Sequence, residues 1–333
     1  MTREAFKGRI EALIARLGTG ERDDEARDAL LEDLIAWQAE RIAPFGRLRA
    51  QRPGAALPTD VFRYARIAAH SPEDDVRTFL TSGTTSGARG RHPFRDLSLY
   101  DAAACAWASA MLFRSAPRRI VALVPREEEA PESSLSYMVA RFGEWFGPLT
   151  YAWNKGGIDL HVLREIAEPV ALLGTSFAFV HAYEELKTPL ALPEGSCVMQ
   201  TGGFKGRSRE VSPKAMLTML QESFGVPPAR VIAEYGMTEL SSQAYETTLV
   251  APGAPRRLRF PGWVRVSVVD PDTLAPTSGE GLLRIDDAAN LDSVCALQTA
   301  DRARKIGDEF LLLGRNPGAV PRGCSLAVEE ALS

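Results

Sequence analysis

Short apolar runs that alternate with helical stretches constrain this chain more than any other feature. Residues 120–124 are apolar throughout and stop at Pro125, which suits a buried strand. Residues 170–173 and 197–200 are further strand candidates, each followed by Gly or Thr and then by a helical stretch. Strands that alternate with helices predict an α/β fold with a largely parallel sheet, because parallel neighbours need a crossover between them.

The flanks read differently. Leu30, Leu31, Leu34, Ile35 and Trp37 recur at roughly helical spacing within 24–42, so residues 1–50 read as helices. Pro44, Pro53 and Pro58 then break the pattern. Residues 76–80 read as a short strand running into the loop 81–90, and 97–113 as a helix. From about Arg257, segments 264–269, 281–285 and 309–313 read as strands separated by turn residues. The expected organisation is an N-terminal helical segment at 1–60, an α/β core at 61–256, a small β-rich subdomain at 257–315 and a short tail at 316–333.

Composition excludes several classes. The 333 residues are 45% hydrophobic and 25% charged, enough for a large core. A net charge of −4 does not suit a general nucleic-acid binder. Cys105, Cys197, Cys295 and Cys324 are far apart and form no CxxC pair, which argues against structural zinc. No apolar run is long enough to span a membrane, and residues 1–17 lack a signal-peptide core. The expectation is a reduced, cytoplasmic protein.

Three stretches carry chemistry. The first is Thr81, Ser82, Gly83, Thr84, Thr85, Ser86, Gly87, Ala88, Arg89 and Gly90. Glycines keep this loop small, hydroxyls and backbone N–H groups can surround phosphate oxygens, and Arg89 adds a fixed charge. It lacks the Gly-Lys-Ser/Thr ending of a Walker A loop. Alone, it is equally a surface loop. The second is Tyr235, Gly236, Met237, Thr238 and Glu239, after the apolar run 231–233. There an aromatic ring can stack on a base, a hydroxyl can bond phosphate, and a carboxylate can hold Mg²⁺. Alone, it reads more readily as a turn after a core strand with Tyr235 packed. The third is Thr299, Ala300 and Asp301, followed by Gly314 and Arg315. A carboxylate accepts from paired ribose hydroxyls, and an arginine reaches ribose or phosphate; a surface ion pair is the plain alternative.

Read together, in order and spacing, these stretches resemble the adenylate-forming superfamily of acyl-CoA synthetases, luciferases and peptide-synthetase adenylation domains. Residues 81–90 align without a gap to that family's phosphate loop, with Ser86 for Gly, Ala88 for Pro and Arg89 for Lys. Residues 235–239 match its Tyr-Gly-x-Thr-Glu motif in full. Residues 299–301 match Thr-Gly-Asp with Ala300 for Gly, and Gly314 and Arg315 match the Gly-Arg hinge. The resemblance covers about residues 76–324. It implies an adenylate-forming N-terminal domain with mostly parallel sheets flanked by helices, and ATP with Mg²⁺ as cofactors. It assigns Thr81, Ser82, Gly83, Thr84, Thr85, Ser86, Gly87 and Gly90 to phosphates. Gly202, Gly203, Tyr235 and Gly236 go to adenine, Thr238 to phosphate, Asp301 and Arg315 to ribose or phosphate, and Glu239 to Mg²⁺.

A narrower resemblance is to the LuxE-type acyl-protein synthetases of bacterial fatty-acid reductase complexes. It is carried by Ser82 to Thr85 with His92, Pro93 and Phe94, by residues 133–138, by Gly202, Gly203, Phe204 and Lys205, by residues 235–240, and by residues 322–326. That resemblance implies that Cys324 takes the activated acyl group and passes it to a partner reductase. An acyl-AMP is open to thiolate attack, and Arg322 lies two residues from Cys324. Typical superfamily members carry a further mobile domain that supplies a lysine. Only 18 residues follow Arg315, so none is expected here. Arg89, Lys205 and Arg315 are then the candidates to face the α-phosphate.

The resulting expectation is ATP-dependent activation of a carboxylic acid to an acyl-AMP and transfer to a thiol. The alternatives are a ligase forming a CoA thioester, a carrier-protein thioester or an amide, and an inactive nucleotide-binding scaffold. His92 either touches the nucleotide or carboxylate, or packs the next helix. Residues 176–183, with His181, are a candidate acyl-pocket segment.

Overall fold

The computed structural model describes residues 1–82, 88–114, 119–154, 157–202, 211–315 and 322–333. Three helices open the chain: α1 (Arg3–Leu17), α2 (Asp24–Ala39) and α3 (Ala43–Gln51). Strands β1 (Leu57–Pro58), β2 (Arg77–Leu80) and β3 (Arg91–Phe94) follow, then α4 (Ser98–Ala108). Next come β4 (Ile120–Leu123), α5 (Ser134–Trp145), β5 (Leu149–Tyr151), β6 (Trp153–Asn154), β7 (Gly157–Ile158) and α6 (Leu160–Arg164). The alternation continues with β8 (Ala171–Thr175), α7 (Ser176–Glu185), β9 (Cys197–Thr201), α8 (Pro213–Phe224), β10 (Val231–Tyr235) and β11 (Ala244–Glu246). The last part holds β12 (Leu258–Arg259), β13 (Val264–Val269), β14 (Glu280–Asp287), β15 (Ala296–Ile306), β16 (Glu309–Arg315) and α9 (Arg322–Leu332).

The chain divides into two compact units. Unit 1 comprises Met1–Trp107, Met237–Gln243 and Arg259–Ser333, and unit 2 comprises Ala108–Gly236 and Ala244–Leu258.

Unit 2 holds the sheet expected from the alternation. Its strand order is β5-β4-β8-β9-β10-β11. Every pair is parallel except β10 with β11. β4 is buried at all four positions, as a strand covered on both faces must be. Leu172, Phe179, Val198, Leu220, Phe224 and Val231 build the core beside it. Each such side chain contributes about 1.5–3 kcal/mol by leaving water. Side chains set the helix starts: Thr175 accepts from Ala178 N at 3.0 Å, and Ser212 from Ala215 N at 3.2 Å. Gly225 ends α8 in the left-handed region, at φ 64°. Gly174 has a steric reason: a Cβ there would lie 2.9 Å from Leu123 Cβ and 3.0 Å from the Phe179 ring.

Unit 1 is built on an antiparallel meander, β13-β14-β15-β16, with β1 parallel to β15. The N-terminal helices reach it through Gln38, which is wholly buried. Its amide donates to Asn290 O at 2.7 Å and Leu291 O at 3.0 Å and accepts from Cys295 N at 2.9 Å. A buried amide so fully bonded fixes the 290–295 segment against α2. β2 and β3 form an antiparallel hairpin around the 81–90 loop.

Some readings of local structure differ from the coordinates. The helix expected over 97–113 stops at Ala108 and continues as a π turn, Ser109–Phe113. Residues 322–332, read as part of a tail, form α9. Strand β15, which carries Asp301, was not among the expected strands.

Candidate active site

In unit 1, the stem of the 81–90 loop is closed by its own backbone. Thr81 N donates to Gly90 O at 2.9 Å, and Gly90 N to Thr81 Oγ1 at 2.8 Å. Arg89 folds onto this stem, donating through Nε to Thr81 O at 2.7 Å and through Nη2 to Leu80 O at 3.3 Å. Its guanidinium therefore shapes the loop base. Gly83, Thr84, Thr85, Ser86 and Gly87 lie outside the described residues, as do Gly203 and Lys205.

His92 follows the loop on β3 and joins it to the second motif. Its Nδ1 donates to Thr238 O at 2.7 Å. The ring is 1% exposed, tilted over Phe94 at 4.2 Å and edge-on to Phe62 at 5.8 Å. Burial lowers its pKa to about 4, so the imidazole is neutral near pH 7 and Nδ1 carries the proton. Of the two roles read for His92, the geometry fits packing and hydrogen bonding beneath the turn. Glu239 is buried, and its carbonyl accepts from Asn290 Nδ2 at 2.8 Å.

Asp301 and Arg315 are register partners on β15 and β16, and Arg315 Nε donates to Asp301 Oδ1 at 2.9 Å. The register shifts just past them, between Arg302 and Ala303. Gly314 sits at that irregularity with φ 92°, a conformation that favours glycine. The Asp301 side chain is 11% exposed and the Arg315 side chain 62%.

In unit 2, Thr201 and Glu234 are register partners on β9 and β10, so Gly202 and Tyr235 leave the carboxyl ends of adjacent parallel strands. Ligands of open α/β sheets bind at such ends. Gly202 has φ 73°, and its carbonyl accepts from Ser176 Oγ at 2.7 Å. Thr201 Oγ1 donates to the fully buried Glu234, whose carboxyl burial pushes up to about 7.

Cys324 lies on α9 in unit 1. It packs on Val269 and Leu282, with Leu274 beside them. Burial and Asp60 push its thiol up to about 11, opposite to the lowering expected from Arg322, whose side chain is outside the described residues. Cys197 is also core, pushed up to about 12. His181 is exposed and faces Glu185 at 3.4 Å.

Sequence reasoning missed Asn290, which donates to Glu239 O, Asp287, which accepts from Ser241 N and Ser242 Oγ, and Glu234. The only sequence signal was a pair of acids, Asp286 and Asp287, ending an apolar strand. Among the described residues, no group of three or more His, Cys, Asp or Glu could hold a metal ion.

No protein-family description matches this sequence, and no curated protein matches it. Solved structures do. ATP-bound MatB from Rhodopseudomonas palustris is 14% identical, with 74% of this chain and 49% of that chain covered and a TM-score of 0.54. An ATP-bound RpMatB-BxBclM chimera matches over the same shares at 14% identity and a TM-score of 0.53. McyG A-PCP complexed with phenylalanyl-adenylate is 15% identical, covering 74% and 48%, with a TM-score of 0.50. The chain spans about half the length of these structures. Its fold is that of the N-terminal domain of adenylate-forming enzymes.

Proposed function

We propose that this chain activates a carboxylic acid with ATP, forming an acyl-adenylate and releasing pyrophosphate. The observation that carries this reading is the His92 bridge, which ties the stem of the hydroxyl-rich loop to the Thr238–Glu239 turn. Both segments are assigned to phosphate or its metal by the family resemblance of the sequence.

In the proposed reaction, the substrate carboxylate attacks the α-phosphorus of ATP. The 81–90 loop and the Thr238 hydroxyl position the phosphates, and catalysis rests on positioning and electrostatics. Mg²⁺, held by Glu239 and the phosphates, would offset charge on the departing pyrophosphate. Tyr235 and Gly202 take adenine, and Asp301 accepts from the ribose hydroxyls. Arg89, Lys205 and Arg315 are the candidates for the α-phosphate; Arg89 also donates to its own loop stem and Arg315 to Asp301.

For the acyl acceptor, the burial of Cys324 favours an external thiol, as in a CoA or carrier-protein ligase. Transfer to Cys324, and onward to a reductase, requires α9 to lift from Val269 and Leu282 first. Acid-dependent ATP–pyrophosphate exchange over fatty, aryl and amino acids tests the first step. ATP binding without exchange for any acid would leave an inactive scaffold. Hydroxylamine-labile acyl label on the purified chain, lost in Cys324→Ser, would restore the internal acceptor.

A further inference from the structure

The turn that the proposed function assigns to phosphate and metal has no regular secondary structure of its own. Residues Met237–Gln243 lie in neither helix nor strand, and one internal bond, Leu240 N to Met237 O at 3.1 Å, closes the turn. Three buried side chains hold its backbone from outside. His92 Nδ1 donates to Thr238 O at 2.7 Å, and Asn290 Nδ2 donates to Glu239 O at 2.8 Å. Asp287 accepts from Ser241 N at 3.1 Å and from Ser242 Oγ at 2.8 Å.

Each of the three is committed. The neutral His92 has a single N–H to give. Asn290 also donates to Val294 O at 3.2 Å, and Asp287 also accepts from Ala289 N at 3.0 Å. Ser242 in turn receives Trp263 Nε1 at 2.9 Å. Their exposures are 1%, 2% and 0% for His92, Asn290 and Asp287. Moving the turn would strand buried donors and acceptors, and each stranded group costs about 1–3 kcal/mol in general. The arrangement therefore resists displacement of the turn.

We propose that His92, Asn290 and Asp287 are positioning residues that act through the backbone of Thr238 to Ser242 and fix the directions of the Thr238 hydroxyl and the Glu239 carboxylate. What the turn binds rests on the proposed function; that it is held does not. A single metal-binding carboxylate has little tolerance, since Mg²⁺ demands near-ideal octahedral geometry. A misplacement of about 1 Å can cost about a hundredfold in rate.

The test uses the full chain with His92→Asn and His92→Leu. Asn Nδ2 sits where His Nδ1 does and keeps the bond; Leu loses it. Two measurements are made: hydrogen–deuterium exchange over residues 237–243, and pyrophosphate exchange titrated with MgCl₂. The Leu variant exchanges about tenfold faster over 237–243 while the rest of unit 1 keeps its protection. Its kcat falls about ten- to a hundredfold, and the Mg²⁺ concentration for half-activation rises, with KM for the acid unchanged. The Asn variant restores both. Unchanged exchange over 237–243 in the Leu variant, or equal damage by Leu and Asn, overturns the proposal. If His92→Leu does not fold, Asn290→Asp removes the donor to Glu239 O without changing side-chain size and is read by the same criteria. If the wild-type chain supports no pyrophosphate exchange, the adenylation reading fails separately. The hydrogen-exchange pattern then still decides whether these side chains hold the turn.

Discussion

Asp301 keeps a carboxylate oxygen on Arg315 and sits beside a register shift in a β-sheet, which re-aims side chains relative to a regular ladder. In the proposed reaction it accepts from two ribose hydroxyls. Asp301→Ala should therefore lower kcat/KM for ATP in pyrophosphate exchange by about a hundredfold, the range of two charge-assisted hydrogen bonds. The melting temperature without nucleotide should barely move, because the lost ion pair joins a partner that is mostly exposed. Cys324 gives a second residue-level prediction. With its thiol near 11 and the side chain 4% exposed, iodoacetamide at pH 7.5 should label it about a hundredfold more slowly than in denaturant, as read by peptide mass spectrometry. Asp301 and Thr238 could be singled out from the sequence because each sits in a contiguous motif, and their roles belong to the proposed reaction. Asp287 and Asn290 could not be, because they matter through bonds that span 45 to 51 positions, which no local pattern encodes.

Among the elements, Gly174 on β8 packs against β4 and α7. An added Cβ would meet Leu123 Cβ at 2.9 Å and the Phe179 ring at 3.0 Å, both in the packed interior of unit 2. Gly174→Ala should destabilise the fold by about 1–3 kcal/mol, as overpacking does. Urea unfolding should show a lower midpoint at an unchanged slope. The elements that could be read from sequence are those whose burial is uniform. β4 is buried at every position, and its apolar run stands out. β15 is harder to see, because its second half, Asp301 to Ile306, is mixed polar and partly exposed and its ladder is irregular. α9 buries Cys324, Ala327 and Ala331, at spacings of three and four, but such small residues give a weak hydrophobic signal. β3 (Arg-His-Pro-Phe) carries a charge, an imidazole and a proline, and it is a strand because it closes a hairpin with β2.

For the whole molecule, three buried titrating groups pull stability in opposite directions as pH changes. Burial lowers the His92 pKa to about 4, below the usual 6.5. The unfolded chain binds that proton more tightly, so the contribution of His92 is complete above 6.5 and is lost as pH falls towards 4. Glu234 and Asp287 work the other way. Their folded values, about 7 and about 6, lie above 4.5 and 3.8, so the folded state holds the protons. Their contribution is full below those lower values and is lost as pH rises through 7 and 6. Glu234 isolates one arm. The Thr201 hydroxyl donates to its carboxyl, and Gln keeps an oxygen that accepts from it. Above pH 7 the wild-type chain carries a buried carboxylate charge that Glu234→Gln removes. That variant should be more stable than wild type at pH 8.5 by up to roughly 3 kcal/mol, the equivalent of the shift from 4.5 to about 7. At pH 4 the advantage should vanish, because both side chains are then neutral. Urea midpoints across that range measure it, and a constant difference between the two proteins would mean that Glu234 does not titrate in the folded state.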